Sequence, residues 1–275
     1  MKKRVATLIL NRNLPEVTEA LYEQISQYDS ELTDIFVIES GSDDDLKSRY
    51  STWHADWDIA RSNGLRYFRG MNFGLANLFK SNRLKDYEAF LLLANDTVLE
   101  QRPFINDLMR VLDSHPKVGV VSPCSRDWGE KLFLQNESVK YFWTVNPGAY
   151  LVRKELIEDI CEPDNPNEMN FLFDGSNFRG YGVDIEMIAR AYANEWAVAI
   201  TSKVMMAEND SYLLEKSDLV KTEPYDEHMR LYIEEGLQWM KKKFGFNSHW
   251  SMQVYVKCFY NEFFKMNPHL IEHKI

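Results

Sequence analysis

The sequence predicts an α/β fold in which a mainly parallel central sheet carries helices on both faces. Several short runs, among them residues 5–10, 34–40 and 90–94, have consecutive apolar residues rather than an alternation of apolar and polar residues. Such runs are typical of strands buried on both sides, as in parallel sheets. Helix-like segments separate these runs, and the alternation of strand and helix indicates right-handed βαβ units.

The first half of the chain predicts five strands that alternate with helices. The strands are expected over residues 5–10, 34–40, 65–68, 90–94 and 118–122. The helices are expected over about residues 15–27, 72–84 and 103–114. Pro15 suits the first turn of its helix, because the N–H that proline lacks has no partner there.

The second half has a more mixed pattern. Strands are expected over residues 140–145, 149–152 and 197–201, and helices over 154–160 and 182–194. Residues 163–170 are rich in Pro and Asn and predict a loop suited to act as a lid. From about residue 224 the chain becomes charged and aromatic, which predicts a helical extension. Its aromatic residues are expected to pack on the core, to form a homodimer contact or to stack on a saccharide.

Composition and charge disfavour several classes of protein. The 275 residues are 45% hydrophobic and 27% charged, which is ordinary for a globular chain. The formal net charge of −10 argues against nucleic acid as the main partner, because binding a phosphate backbone needs clustered Lys and Arg. No apolar stretch approaches the roughly 20 residues of a membrane-spanning helix. The cysteines, Cys124, Cys161 and Cys258, have neither disulfide nor metal spacing, which indicates the cytoplasm.

Asp96 directly follows the buried run of residues 90–94. Open α/β sheets bind ligands at the carboxyl ends of their strands, which is where this carboxylate would lie. An acid there is costly to desolvate unless a cation offsets its charge, and Mg²⁺ carrying a diphosphate would do so. The other interpretation is a turn aspartate that caps the next helix. This segment alone favours neither.

A second polar group opens the predicted helix at residue 182. Gly180 and Gly182 flank Tyr181, and Asp184 and Glu186 follow in the first turn. Asp184 is consistent with a helix N-cap, and equally with a general base beside a glycine-lined pocket. A helix N-terminus keeps the pKa of a carboxylate low, so such a base would act on an alcohol that loses its proton late, in the transition state.

Six segments occur in one order along the chain: ATLILNRN, DIFVIESGSDD, NFGLAN, FLLLANDTVLE, NPGAYLVRKELI and FDG…GYGVDIEMIARA. Together they resemble the family 2 glycosyltransferases with a GT-A fold, over roughly residues 4–215. The resemblance implies a domain over residues 1–215, with a nucleotide-sugar half up to about residue 122 and an acceptor half after it, followed by the helical extension 216–275.

The same resemblance implies an activity. It implies inverting transfer of a sugar from a nucleotide-diphosphate sugar, most simply a UDP-sugar, to a hydroxyl of a saccharide or glycan acceptor. The cofactor would be Mn²⁺ or Mg²⁺, and the setting polysaccharide biosynthesis.

In that family the ends of the first two strands hold the nucleoside. The matching residues here are Leu10, Asn11, Arg12, Glu39, Ser40 and Gly41. The family usually has Asp where this chain has Glu39, so the contact with base or ribose is expected to differ. Glu39 is also consistent with a carboxylate that only caps a loop.

Arg69 and Asn72 lie where the family contacts the nucleoside or its phosphates. A planar guanidinium suits a diphosphate, because it donates two parallel hydrogen bonds. Arg69 is also consistent with an ordinary surface arginine.

The family's Asp-any-Asp metal motif aligns with Ala94-Asn95-Asp96. Asp96 matches the acid that binds the metal most directly, while Ala94 removes a ribose contact for which Asn95 or Thr97 is the available substitute. Related enzymes carry a metal-binding His after the last strand. That place holds Glu208 here, either as a substitute ligand or as a solvated loop acid.

The resemblance assigns the catalytic base to Asp184 and a supporting acid to Glu186. Gly148 matches the glycine that lets the acceptor side approach the sugar. Tyr181 and Gly182 are expected to line the acceptor pocket, although Tyr181 also fits a core aromatic.

Three other functions can be compared with the sequence. A nucleotidyltransferase would usually have a glycine-rich basic loop after the first strand, where this chain has Asn11-Arg12-Asn13. A nicotinamide dehydrogenase needs Gly-x-Gly-x-x-Gly there, and that turn has no glycine. A non-catalytic sugar-nucleotide-binding or scaffold protein remains the main rival, because Ala94, Val183 and the missing His depart from the family pattern.

Overall fold

The computed structural model describes residues 3–134, 138–161, 165–209 and 211–275. The strands of the described residues are β1 Val5–Asn11, β2 Thr33–Glu39, β3 Ser51–His54, β4 Ala89–Ala94, β5 Thr97–Leu99, β6 Val118–Ser125, β7 Val139–Tyr141, β8 Ala149–Arg153 and β9 Ala197–Glu208. The helices are α1 Pro15–Asp29, α2 Asp58–Asn63, α3 Arg66–Lys80, α4 Ile105–Ser114, α5 Lys154–Ile160, α6 Val183–Ala193, α7 Ser211–Glu215, α8 Tyr225–Phe244 and α9 His249–Met266.

One sheet contains all of these strands, in the order β3-β2-β1-β4-β8-β6-β9-β5, with β7 also paired to β9. The strands β3, β2, β1 and β4 are parallel, and β8 is antiparallel to both β4 and β6. Because β9 is parallel to β6, the carboxyl ends of β1, β2, β4 and β9 meet at one edge of the sheet. Ligands bind at this edge in open α/β sheets.

Helices cover both faces of the sheet, as the apolar runs predicted. Alternate residues of β1 face α1 and α3: the Asn11 side chain accepts a hydrogen bond from Thr18 of α1, whereas Leu8 and Leu10 lie under α3. The approach of α3 is close. A Cβ on Gly74 would lie 2.4 Å from Ile38 Cδ1, so a larger residue there would push the helix off the sheet.

The third strand was predicted wrongly. Residues 65–68 begin helix α3 instead of forming a strand, and the third strand is the half-exposed β3. Phe68, Met71, Leu75 and Leu78 are all buried at helical spacing, and this stripe outweighs the strand preference of the aromatic residues. The helix also ends at Lys80, short of the predicted residue 84.

The helices α8 and α9 pack on the same core as the sheet. Trp239 and Met240 of α8, and Val256 and Tyr260 of α9, are buried in the main hydrophobic cluster. Trp250 is 76% exposed, so the aromatic residues of the extension are not all core residues. Within the described ranges, no helix is both long enough and apolar enough to cross a bilayer. Residues 163 and 164 of the predicted lid loop lie outside the described residues.

Leu92→Ala should lower the free energy of unfolding by about 2–5 kcal/mol, because Leu92 is fully buried in β4 and the substitution leaves a cavity. Urea denaturation measures this loss. Leu132→Ala is the matched control, since Leu132 is 81% exposed and should change stability by no more than about 0.5 kcal/mol. Equal losses in the two variants would contradict the assignment of β4 to the core.

Candidate active site

Asp96 and Glu208 lie together at the carboxyl edge of the sheet. β5 pairs antiparallel with the end of β9 and sets Glu208 opposite Thr97. The Asn209 N–H donates to the carbonyl oxygen of Asp96 over 2.9 Å, which fixes the turn before β5. Two acids from distant parts of the sequence are thereby neighbours, as the resemblance implies for the metal ligands.

Tyr67 lies beside both of these acids. Burial raises the pKa of Tyr67 far above its ordinary value, and the charges of Glu208 and Asp96 raise it further. Its hydroxyl donates to the carbonyl of Leu92 over 3.2 Å. The phenol thus borders the two carboxylates at the point where β4 ends.

Gly148 makes room for the Glu208 carboxylate. A Cβ on Gly148 would lie 2.8 Å from Glu208 Oε1 and 2.7 Å from Met206 Cε, so a side chain here would displace both. The Thr97 hydroxyl donates to the Gly148 carbonyl over 2.7 Å, and the Asn146 amide donates to Glu208 Oε2 over 3.3 Å. Glycine at this position therefore leaves room for the ends of both side chains.

Asp184 is buried in the first turn of α6, and it is not the N-cap. The N-cap is Gly182, whose φ of +83° is in the left-handed region that glycine adopts without strain. Burial raises the pKa of Asp184 to about 6, although the backbone amides of Ile185 and of Asp184 itself oppose the shift. The low pKa predicted from the helix N-terminus is therefore wrong, because desolvation exceeds the effect of the helix.

Tyrosine side chains link Asp184 to the acids at the sheet edge. Burial raises the pKa of Tyr232 and of Tyr150, and the charges of Asp184 and Glu208 contribute to both shifts. Tyr181 lies over the same helix turn, and its ring makes an edge contact with Tyr232 at 5.0 Å. Asp184 and Glu208 therefore border one tyrosine cluster rather than opposite flanks of the molecule.

Glu186 is not brought together with Asp184. Residues two apart on a helix point in different directions. Glu186 accepts hydrogen bonds from Arg190 Nε and from Lys243 Nζ, each over 3.1 Å, and Lys243 also pairs with Asp174 over 2.6 Å. These groups line a separate cavity of about 320 Å³. The geometry favours a structural role for Glu186 over that of a supporting catalytic acid.

The predicted nucleoside residues form a hydrogen-bonded cluster within the protein. Asn11 Nδ2 donates to Glu39 Oε2 over 2.7 Å, and the Ser48 N–H donates to Glu39 Oε1 over 2.9 Å. Ser40 Oγ accepts from the Leu65 N–H over 2.6 Å. Glu39 thus caps the loop that follows β2, which is the alternative that the sequence left open.

Arg12 binds backbone carbonyls beyond the end of β2. Its guanidinium donates to the carbonyls of Ser40, Ala60 and Arg61 over 2.8, 3.1 and 2.9 Å, and burial lowers its pKa. Gly41 has a φ of +72°, and a Cβ there would lie 1.9 Å from the Ala60 carbonyl oxygen. The Arg12 guanidinium is therefore engaged by the protein's own backbone.

Asn72, Arg69, Leu10 and Asn95 are held by nearby parts of the protein. Asn72 exchanges two hydrogen bonds with the backbone of Phe173, over 2.7 and 2.9 Å. Arg69 Nε donates to the Gly175 carbonyl over 2.6 Å. Leu10 packs under Gly70 of α3, and Asn95 donates to the Thr18 hydroxyl over 3.0 Å. Arg69 and Asn72 position the loop before α6.

A cavity of about 560 Å³ opens beside Asp96. It lies between α1, the turn at residues 95–101 and the segment 209–219, and its lining includes Asn13, Asn95, Asp96 and Lys216. Its volume is in the usual range for a ligand pocket of about 300–1,000 Å³. Glu208 and Asp184 do not line this cavity, so a ligand in it would reach Asp96 before either of them.

Solved structures share this architecture at low sequence identity. The mannosyltransferase PcManGT from Pyrobaculum calidifontis, in complex with GDP-Man and Mn²⁺, has 12% identity and a TM-score of 0.53, covering 86% of this chain and 65% of its own. The fragment 1–349 of S. aureus TarS, in complex with UDP-GlcNAc, has 13% identity and a TM-score of 0.50, covering 95% and 73%. Glucosyl-3-phosphoglycerate synthase from Mycobacterium tuberculosis, in complex with Mn²⁺, UDP and glucosyl-3-phosphoglycerate, has 16% identity and a TM-score of 0.51, covering 90% and 82%.

The chain has a GT-A fold. The fold implied by the resemblance is thereby confirmed. This chain spans just under two thirds of the length of the mannosyltransferase. No protein-family model matches the chain, and no curated protein sequence does.

Within this GT-A fold, the described residues contain no preformed group of three His, Cys, Asp or Glu side chains around one point. Asp96 and Glu208 nevertheless fit a hard divalent cation, since both supply carboxylate oxygens and diphosphate oxygens can complete the coordination. The carboxylates of Asp96 and Glu208 both lie near the phenol of Tyr67. A cation between these carboxylates would lower the free-energy cost of keeping both of them ionised.

Sequence reasoning missed Glu130, Tyr67, Tyr150 and Tyr232. Burial raises the pKa of Glu130 to about 7, and the charge of Glu208 adds to the shift. Glu130 Oε1 accepts from the Ser125 N–H over 2.6 Å. Tyr150 could have been noticed, because it follows Gly148 within the segment NPGAY, whereas no motif marks the other three.

Asp184→Asn should reduce the change in the free energy of unfolding between about pH 4 and pH 7. Folded Asp184 keeps its proton up to about pH 6, against an ordinary pKa of 3.8, so the folded state binds more protons in this window. The wild type should therefore lose about 3 kcal/mol relative to the variant as the pH rises from about 4 to 7. Denaturant unfolding at several pH values measures the difference. If the free energies of unfolding of the wild type and Asp184→Asn change in parallel with pH, the raised pKa of Asp184 is contradicted. Asp58→Asn, at an exposed position, is the control and should follow the wild type.

Proposed function

We propose that this protein is an inverting glycosyltransferase that moves a sugar from a nucleotide-diphosphate sugar to a hydroxyl of a saccharide or glycan. The observation that supports this most is the placement of Asp96 and Glu208 at the carboxyl edge of a GT-A sheet, with Asp184 bordering the same tyrosine cluster. Two of the three similar structures hold UDP or a UDP-sugar, which favours a UDP-sugar as the donor.

Asp96 and Glu208 are the proposed ligands of Mn²⁺ or Mg²⁺, and two of the similar structures contain Mn²⁺. When bound, the cation supplies Lewis-acid stabilisation of the diphosphate leaving group. Asn146 holds the Glu208 carboxylate, and Gly148 leaves room for it. The chain's contribution is thus to fix two oxygen donors at the end of β4.

Asp184 is the proposed general base. With a pKa of about 6 it is mainly ionised at pH 7 and still basic enough to accept a proton from an acceptor hydroxyl. That hydroxyl attacks the anomeric carbon from the face opposite the leaving diphosphate, which inverts the configuration. Tyr181 and Tyr232 shield the carboxylate from water, so the acceptor has to enter between or beside them.

One observation favours a second function. Asp184 is only 9% exposed. A sugar-nucleotide-binding protein without catalysis would be consistent with this burial. Turnover decides between the two, since a binding protein releases no nucleoside diphosphate from a nucleotide sugar in the presence of Mn²⁺.

The wider setting follows from the same proposal. The described thiols, including the exposed Cys258, form no disulfide, which suits a cytoplasmic enzyme. A role in polysaccharide biosynthesis is the simplest one for a glycan acceptor.

Asp96→Asn should weaken Mn²⁺-dependent binding of UDP by at least about 100-fold, since losing even an outer partner of a metal ligand costs roughly 10- to 100-fold. Calorimetric titration with UDP, with and without EDTA, measures the effect. The exposed Asp58→Asn should bind like the wild type. Equal Mn²⁺-dependent affinity for UDP in Asp96→Asn and the wild type would exclude Asp96 as a metal ligand.

Asp184→Asn should lower kcat by about 10²–10⁴-fold and leave UDP binding within about twofold, because the base acts only in the transition state. In the wild type kcat should fall as the pH drops below about 6, where Asp184 gains its proton. Release of UDP from a panel of UDP-sugars with saccharide acceptors measures turnover. Glu186→Gln should retain turnover, and full activity in Asp184→Asn would rule out the assignment.

A further inference from the structure

Arg66, Arg69 and Arg179 surround the ring of Phe178. Their guanidinium carbons lie 5.2, 4.8 and 5.7 Å from its centre. The side chain of Arg179 is 7% exposed and that of Arg66 is 20% exposed. We call these three residues the arginine cluster. Buried cations at such close range repel one another unless anions offset their charge, so the cluster needs an anionic partner.

Glu223 is one such anion. Its carboxylate pairs with Arg179, lies 3.5 Å from Arg66 Nη2, and accepts from the Thr222 hydroxyl over 3.0 Å. Burial opposes its ionisation, but its own backbone amide, Thr222, Arg179 and Arg66 together lower the pKa of Glu223 to about 2. Glu223 is therefore ionised at every physiological pH.

Two buried donors of the cluster lack a hydrogen bond. Glu235 also pairs with Arg179, and the charge of Glu168 acts on Arg69, so three carboxylates face the three guanidiniums. Burial and the neighbouring arginines lower the pKa of His228, which lies 3.7 Å from Glu223. Among the described residues, Arg66 Nε and Arg179 Nε are buried without a hydrogen-bond partner. These two donors remain for a ligand.

Phosphate can satisfy these donors better than a carboxylate does. A phosphoryl group carries a charge of about −1.5 to −2 near pH 7 and three strong acceptor oxygens. Replacing Glu223 by such a group would offer the arginines one acceptor oxygen more than the two of the carboxylate. Guanidinium groups also bind phosphate oxygens in pairs, which suits two arginines that already share one carboxylate.

Glu223 belongs to a segment that crosses the ends of β1 and β2. We call residues 216–224 the strap. The carbonyls of Leu219 and Val220 accept hydrogen bonds from Asn13 and Arg12 over 2.8 and 3.4 Å, and Lys221 pairs with Asp43. These contacts are few and partly exposed, so water and salt weaken them. The ion pairs of Glu223 with Arg179 and Arg66 are more buried than that of Lys221 with Asp43.

We propose that the arginine cluster is a binding site for a phosphoryl group, that Glu223 occupies it in the free protein, and that an entering phosphoryl group displaces Glu223 and releases the strap from β1 and β2. The phosphoryl group can come from the diphosphate of a nucleotide or from a phosphorylated acceptor. Binding requires no sugar transfer, so the site can be tested apart from the proposed function.

Inorganic phosphate is the probe, titrated calorimetrically at constant ionic strength. Glu223→Gln should bind phosphate on the order of tenfold more tightly than the wild type, because the neutral amide no longer competes for the arginines. Arg66→Met should abolish binding. This variant is preferred to one at Arg179 because Arg66 is the more exposed of the two. Glu215→Gln neutralises an exposed acid just before the strap and should leave the affinity unchanged.

Limited trypsin digestion reports on the strap, which contains Lys216 and Lys221. Phosphate should speed cleavage at these residues in the wild type and have no effect in Arg66→Met. Equal phosphate affinity in the wild type, Glu223→Gln and Arg66→Met would overturn the proposal, and so would phosphate that leaves cleavage of the wild type unchanged.

Two further experiments identify the source of the phosphoryl group and test whether phosphate binding depends on catalysis. Competition between phosphate and UDP with Mn²⁺ assigns the site to the donor, whereas simultaneous binding assigns it to a phosphorylated acceptor. Asp184→Asn should bind phosphate like the wild type while losing transfer. Failure of the proposed function would then leave the phosphate result unaffected.

Discussion

The pairing of β5 with the end of β9 is the constraint on which the candidate site depends. β5 has three residues, and its register with β9 sets Glu208 opposite Thr97, one residue from Asp96. The glycine at position 148 follows from this pairing, because a larger residue would meet the Glu208 carboxylate. A slip of one residue would turn Glu208 to the other face of the sheet and separate the two acids. Binding of one cation by both acids would therefore depend on the register of β5 with β9.

A second feature of the structure is the burial of acidic side chains next to tyrosine side chains. Burial raises the pKa of Asp184 to about 6 and that of Glu130 to about 7. Concentrating such groups at one edge costs free energy of folding, since desolvation and like charges both disfavour the ionised forms. Globular proteins tolerate this arrangement mainly at functional sites. A bound cation near Asp96 would offset part of the cost, and this links ligand binding to stability.

The sequence predicted the central strands well because their signal is local. The run that became β4 is apolar throughout, and Asp96 follows it as expected at the ligand-binding edge. The neighbour relation of Asp96 and Glu208 could not be derived from spacing, because it depends on pairing between strands about a hundred residues apart in sequence. Arg12 shows the same limit. The resemblance assigned it to the nucleoside, but its guanidinium is engaged by carbonyls of Ser40, just after β2, and Ala60 of α2, which only the folded chain brings together.

Two C-terminal elements, α8 and the strap, cover the candidate site, and α8 is packed more tightly than the strap. α8 packs tightly on the turn before α6: a Cβ on Gly236 would lie 2.5 Å from the Tyr181 ring, and one on Gly182 would lie 2.3 Å from Met240. The strap is held mainly by polar contacts and by Glu223. Segments with few buried apolar contacts open at lower free energy than packed helices. The strap should therefore uncover the ends of β1 and β2 at a lower free energy than α8 would uncover Asp184, which lies near Tyr232.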